Sequence, residues 1–176
     1  GSRPAWARLA GARAPDAAVL WLGAADLAGL ETIAADGPPL YLSSSLAGPC
    51  EQALPRPLWA RGRCVQQSAL PDAAARRQPV EAWLRAKGVD VAVDALVLDT
   101  HFAIRTFGET LSHVVQNFSQ PYLIEKLEHR IEASVTPSSR PRLALGAGQR
   151  FASKGAYIVR PADGAGVEAE TSWIVP

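Results

Sequence analysis

The pattern of apolar and polar positions is clearest over residues 17–45. Ala17-Ala18-Val19-Leu20-Trp21-Leu22 is a short unbroken apolar run, the pattern of a strand covered on both faces. It ends at Gly23. Leu27, Leu30, Ile33 and Ala34 then fall at helical spacing, which predicts a helix over 25–35 with Gly37 as its stop and Pro38-Pro39 beyond. Leu40-Tyr41-Leu42 reads as a second strand, closed by Ser43-Ser44-Ser45. Strand, helix and strand form a βαβ unit, which favours a parallel sheet with a right-handed crossover.

Gly48, Pro49, Pro55 and Pro57 make residues 46–60 a loop with at most a short helical turn. Arg63 to Ser68 is a weaker third strand. Pro79 to Lys87 predicts a helix closed by Gly88, with Val80, Trp83 and Leu84 on one stripe. The longest helix is expected over 93–117, where Leu96, Ala103, Phe107, Leu111, Val114 and Val115 repeat at steps of three, four and seven. Leu98, Phe102 and Ile104 widen its apolar arc, which implies cover on more than one side. Ser119 caps a further helix with Pro121 in its first turn and Tyr122, Ile124, Leu127 and Ile131 facing inward. Pro137 and Pro141 bracket a connector. Segments 142–145, 155–160 and 171–175 read as three strands joined by Gly-rich turns. Trp21, mid-run in its strand, and Trp83, on its helical stripe, are expected in the core.

Composition narrows the function classes. The 176 residues match one domain at about 150 residues each. Apolar residues are 48% and charged residues 20%, which excludes general disorder. Eighteen Lys and Arg against seventeen Asp and Glu leave a net charge of +1. That is no basic excess of the kind a dedicated nucleic-acid binder shows. No apolar run approaches the ~20 residues needed to cross a bilayer, so no membrane insertion is expected. Gly1-Ser2 reads as a remnant of recombinant expression and carries no structural weight.

Enzyme and cofactor signatures are missing. There is no Gly-x-Gly-x-x-Gly, no phosphate-cradling Gly-x-x-x-x-Gly-Lys and no Gly-x-Ser-x-Gly elbow. Gly146-Ala147-Gly148 is a turn. His101, His113 and His129 lack metal-ligand spacing, and twelve residues put the first two about 120° apart around a helix. No cofactor, metal or catalytic residue is assigned. Cys50 and Cys64 form no zinc or Cys-x-x-Cys motif. They are either two small buried hydrophobes or, in an exported protein, a disulfide; their places, after the second strand and at the start of the third, let them reach each other. Gly23-Ala24-Ala25 and Ser43-Ser44-Ser45 are the carboxyl ends of the two parallel strands, where open α/β sheets bind ligands. The same serines also suit turn and cap hydrogen bonds.

These residues carry a resemblance. Ala18 to Gly23 with its following helix, Pro39 to Gly48, the long helix from Asp94 to Val115 and the ending Arg150-Phe151-Ala152-Ser153-Lys154-Gly155-Ala156-Tyr157-Ile158-Val159-Arg160 resemble the second lobe of type I periplasmic solute-binding proteins. These are the branched-chain amino-acid receptors of ABC importers, and the tail is similar to a subgroup found near c-type cytochrome and alcohol-oxidising systems. The resemblance implies an α/β, three-layer, parallel-sheet lobe with a C-terminal β-hairpin, spanning residues 1–176 without the family's first lobe. It implies a non-enzymatic, periplasmic lobe that holds a small polar solute by lobe closure, with an ABC permease as partner. Gly23, Ala24, Ser43, Ser44, Ser45 and Phe102 are its candidate ligand residues. The family's aromatic clamp and carboxylate are replaced here by alanine and serine, which speaks against an amino-acid ligand. The alternative is an accessory interaction module tied to a periplasmic oxidase or cytochrome as redox partner. A serine hydrolase would need a histidine at this rim, and the sequence places none there.

Overall fold

The computed structural model describes residues 6–9, 15–70, 74–114, 118–145, 148–149, 151–164 and 166–175. The chain divides into a sheet unit, residues 1–71 with 156–175, and a helical unit, residues 72–155.

The sheet unit is a five-stranded mixed sheet in the order β1-β2-β3-β4-β5. Strands β1 (Ala18–Leu20), β2 (Leu40–Ser43) and β3 (Gly62–Gln66) are parallel, with Leu20 opposite Leu42 and Leu42 opposite Cys64. β4 (Tyr157–Ala162) runs antiparallel to β3, and β5 (Gly166–Ala169) closes a hairpin onto it. The expected α/β class with a parallel sheet and a C-terminal hairpin is present. The hairpin's second strand differs from expectation: 166–169 pairs with β4, while 171–175 contributes a single bridge, Ala156 to Ile174. Segment 142–145 forms no strand; within it, Ala144 N–H donates to the Ala152 carbonyl.

Period two explains the core. Ala18, Leu20, Leu40, Leu42, Cys64 and Val159 point to one face and are buried together with Leu27, Leu30, Leu54 and Leu58 from the connections. Two short helices, α1 (Ser44–Ala47) and α2 (Cys50–Ala53), pack on the sheet. The opposite pleat of β1 is bare: Val19 is 73% exposed and Trp21, just beyond the strand, 71%. Trp21 is therefore not a core residue, because a two-residue period sends it to the same side as Val19, away from Leu20. The apolar run is a strand covered on one face.

The helix expected over 25–35 is replaced by two 3-10 turns, Ala24–Leu27 and Leu30–Thr32. Gly29 separates them at φ +91°. Its N–H donates to the Glu31 carboxylate (3.2 Å) and its carbonyl accepts from Thr32 Oγ1 (2.6 Å). Such local bonds compete with the helical ladder. The apolar spacing still serves burial, since Leu27 and Leu30 both reach the core.

Arg61 is buried in the turn before β3. Its Nη1 donates to the Pro38 carbonyl (3.0 Å) and its Nη2 to the Ala34 carbonyl (2.8 Å), tying down the approach to β2. Burial pushes its pKa down and the charge of Asp36 opposes that shift. A Cβ on Gly37, at φ +133°, would stand 2.5 Å from Arg61 Nη1. Glycine is required there on both counts. Cys50 and Cys64 are joined in a disulfide with Cα atoms 5.8 Å apart.

The helical unit holds α3 (Ala74–Ala86), α4 (Ala95–Ser112) and α5 (Gln120–Ala133). α3 begins earlier than Pro79 and ends before Gly88, which takes φ +70°. Asp94 caps α4 by accepting from Val97 N–H (2.9 Å). Residues 115–117, the expected end of that helix, lie outside the described residues. The broad apolar arc of α4 is not enclosed: Leu96, Ile104 and Phe107 are exposed, while Leu98, Thr106 and Thr110 are buried. Trp83 is 42% exposed and packs its ring edge-on against His101, at 5.1 Å between centroids. It too is not a core residue. Nor does α5 bury the residues expected inward: Ile124 is exposed and Tyr122, Leu127 and Ile131 are half-buried. α5 follows Ser119 with Pro121 in its first turn, though the Ser119 hydroxyl makes no capping bond.

Candidate ligand-binding rim

The parallel register puts the carboxyl ends of β1, β2 and β3 on one edge of the sheet unit. Gly23 ends the β1 segment in extended conformation (φ −76°, ψ 164°), and its carbonyl accepts from Asp26 N–H (3.0 Å) as the chain turns. Ala24 opens that turn and is exposed. A Cβ on Gly23 would lie 4.0 Å from the Leu46 carbonyl of α1, which measures how close the two strand ends come. Asp26 Oδ2 lies 3.7 Å from the same point, so an exposed carboxylate stands at this edge.

The serines divide by environment. Ser43, the last residue of β2, is buried at 6% exposure and precedes α1 without a side-chain cap bond. Ser44 Oγ is buried and has no hydrogen-bond partner; a buried hydroxyl left so costs about 1–3 kcal/mol. Ser45 is exposed, and its Oγ donates to Gln67 Oε1 (3.3 Å) just past β3. The neighbouring Gln66 Nε2 donates to the Ala69 carbonyl (3.1 Å), fixing the chain where it leaves that strand. Gln67 was within reach of sequence reasoning, since the carboxyl end of a third parallel strand belongs to the same edge as the first two.

The rim therefore presents the Ser45 hydroxyl, the Gln67 carboxamide and, beside Gly23, the exposed Asp26 carboxylate. The hydroxyl and the carboxamide form neutral hydrogen bonds of about 0.5–1.5 kcal/mol each. Among the described residues, no group of three His, Cys, Asp or Glu side chains is placed to hold a metal ion. Phe102 belongs to α4 in the helical unit, where it is half-buried and lines a cavity with Arg76 and Arg142. His101 also belongs to α4. Its pKa is lowered, first by burial and then by the neighbouring charge of Arg105.

No family model and no curated protein matches the sequence. Two solved structures share the fold. One is the crystal structure of an ABC transporter substrate-binding protein from Aeropyrum pernix, with TM-score 0.52 and 12% identity over 79% of this chain and 38% of that one. The other is a fatty acid ABC transporter substrate-binding protein from Thermomonospora curvata, with TM-score 0.56 and 18% identity over 91% of this chain and 43% of that one. The chain thus spans about two fifths of the length of each. The fold class is α/β, of the kind found in substrate-binding proteins.

Proposed function

We propose that this chain is a solute-binding lobe of an ABC-transporter-type substrate-binding protein, without enzymatic activity, and that the rim at Gly23, Ala24, Ser43, Ser44 and Ser45 contacts the solute. The observation that carries the reading is the convergence of three parallel strand ends on a polar edge, in a fold shared with two substrate-binding proteins. Hinge closure of a second lobe over such an edge completes the site, and an ABC permease reads the closed form. The lobe alone supplies half of the contacts and binds weakly. The solute is polar and not an anion, matched to the Ser45 hydroxyl and the Gln67 carboxamide, with the Asp26 carboxylate beside Gly23. A periplasmic location accords with the Cys50–Cys64 disulfide, which persists in oxidising compartments.

Native mass spectrometry of the protein purified from its source identifies the bound solute by mass. Titration calorimetry with that solute then compares the wild type with the Ser44→Ala/Ser45→Ala variant. Loss of the Ser45 hydrogen bond weakens binding by about 0.5–1.5 kcal/mol, the Ser44 hydroxyl being buried. Unaltered affinity refutes the rim.

A second reading, an accessory module with a protein partner in a periplasmic redox system, draws support from one observation. Val19 and Trp21 leave an exposed apolar face beside Tyr41, which is opposite Val19 in the register. Retained partner binding in the serine variant, with no solute detected, would favour it.

A further inference from the structure

The connector after α5 folds into a structured wall. Thr136 N–H donates to Ser134 Oγ (3.1 Å), and Ser138 Oγ donates to the Arg140 carbonyl (2.9 Å). Ser139 donates through both N–H and Oγ to the two carboxylate oxygens of Asp99 on α4, at 2.8 and 2.7 Å. Ser138 and Ser139 are each 4% exposed. Behind this wall, within the helical unit, lies a cavity of about 640 Å³, inside the range of small-molecule sites.

Its charge is lopsided. Arg76, Arg140 and Arg142 line it against a single acid, Glu132. Asp99, the α4 acid that holds the connector, has both oxygens engaged by Ser139. Arg76 is half-buried on α3, and its guanidinium is clamped by two backbone carbonyls: Nη1 to Arg140 (2.9 Å) and Nη2 to Pro141 (3.2 Å). Carbonyls orient a guanidinium but do not neutralise it. Among the described residues, neither Arg76 nor Arg142 has a carboxylate partner. Of the five donors of Arg76, three remain. Phe102, Ile131 and Leu143 give the same cavity an apolar surface.

We propose that this cavity binds a small organic monoanion, a carboxylate on an apolar body, with the carboxylate on Arg76 and Arg142 and the body against Phe102. A planar guanidinium matches a carboxylate in shape as well as charge. One negative charge offsets part of the excess, whereas the apolar surface gives a bare inorganic anion nothing to pack against. The site rests on the helical unit alone and stands or falls separately from the serine rim.

The test is titration of the purified chain with 2-naphthoate, its neutral isostere 2-naphthamide and inorganic phosphate, followed by calorimetry. Charge-assisted bonds predict that 2-naphthoate binds about tenfold more tightly than 2-naphthamide, and that phosphate binds more weakly than 2-naphthoate. Arg142→Gln changes an exposed residue and lowers 2-naphthoate affinity about five- to tenfold while leaving 2-naphthamide unaltered. Phe102→Ala weakens both naphthyl ligands. Equal affinities for the acid and the amide, an unchanged Arg142→Gln variant, or no saturable binding of 2-naphthoate by about 10 mM, a Kd worth under 3 kcal/mol, overturns the proposal.

Discussion

Breaking the Cys50–Cys64 bond tests how the sheet unit is held together. The crosslink joins the start of α2 to the middle of β3 across a sequence separation of 14 residues. It thereby restrains the connection between two neighbouring parallel strands. In the chain-entropy account, closing a loop of this length removes unfolded-state entropy worth about 3 kcal/mol. The sulfurs sit in the core, with Cys50 at 1% and Cys64 at 0% exposure. Reduction replaces one covalent contact by two thiols that need more room, so packing adds to the loss. The assay is urea unfolding of oxidised protein against protein reduced in denaturant and refolded with thiol present. With a slope of about 2 kcal/mol/M, the midpoint falls by about 1.5 M on reduction. A change below about 0.3 M, or under 1 kcal/mol by that slope, would show that the loop between β2 and β3 is already ordered when the rest is unfolded, and would refute the reasoning.

Leu40→Ala, at a position on β2 with 0% exposure, costs about 3 kcal/mol by denaturant unfolding, whereas Trp21→Ala shifts stability by about 0.5 kcal/mol or less despite the larger side chain. Equal costs would mean that the bare pleat of β1 is covered. Arg61→Met strands the carbonyls of Pro38 and Ala34 and costs about 2–4 kcal/mol, read in the same assay. A neutral result would show that solvent replaces the guanidinium there. The lowered His101 pKa gives a signed pH effect: the unfolded chain takes up a proton near pH 6.5 while the folded chain does not, so stability present above that pH declines as pH falls through it. His101→Gln removes that part of the decline between pH 7 and 5, measured as the difference between the two unfolding curves; parallel curves would refute the assignment.

Local pattern by itself determined the strands of the parallel half, the hairpin's first strand and all three long helices. Each of these rests on neighbours in sequence: Leu40-Tyr41-Leu42 is a short apolar run, Asp94 caps, Gly88 stops. The rim was legible for the same reason, since consecutive parallel strands bring Gly23 and Ser43 to one edge whatever else the chain does. What the residues between strands do was not legible. Leu27 and Leu30 satisfy helical spacing and are buried as that spacing implies, yet Gly29 and its bonds to Glu31 and Thr32 turn the segment into 3-10 turns. Only the tertiary structure decided which faces are covered. An apolar run such as Val19-Leu20-Trp21 is compatible with one buried pleat or two, and burial depends on what other elements pack there. The same holds for Trp83 and for the apolar arc of α4. The partners of Arg61, Arg76 and Asp99 lie 23 to 65 residues away in sequence. Hydrogen bonds across such separations leave no periodic trace, and the carbonyl acceptors of Arg61 and Arg76 carry no side-chain signature either.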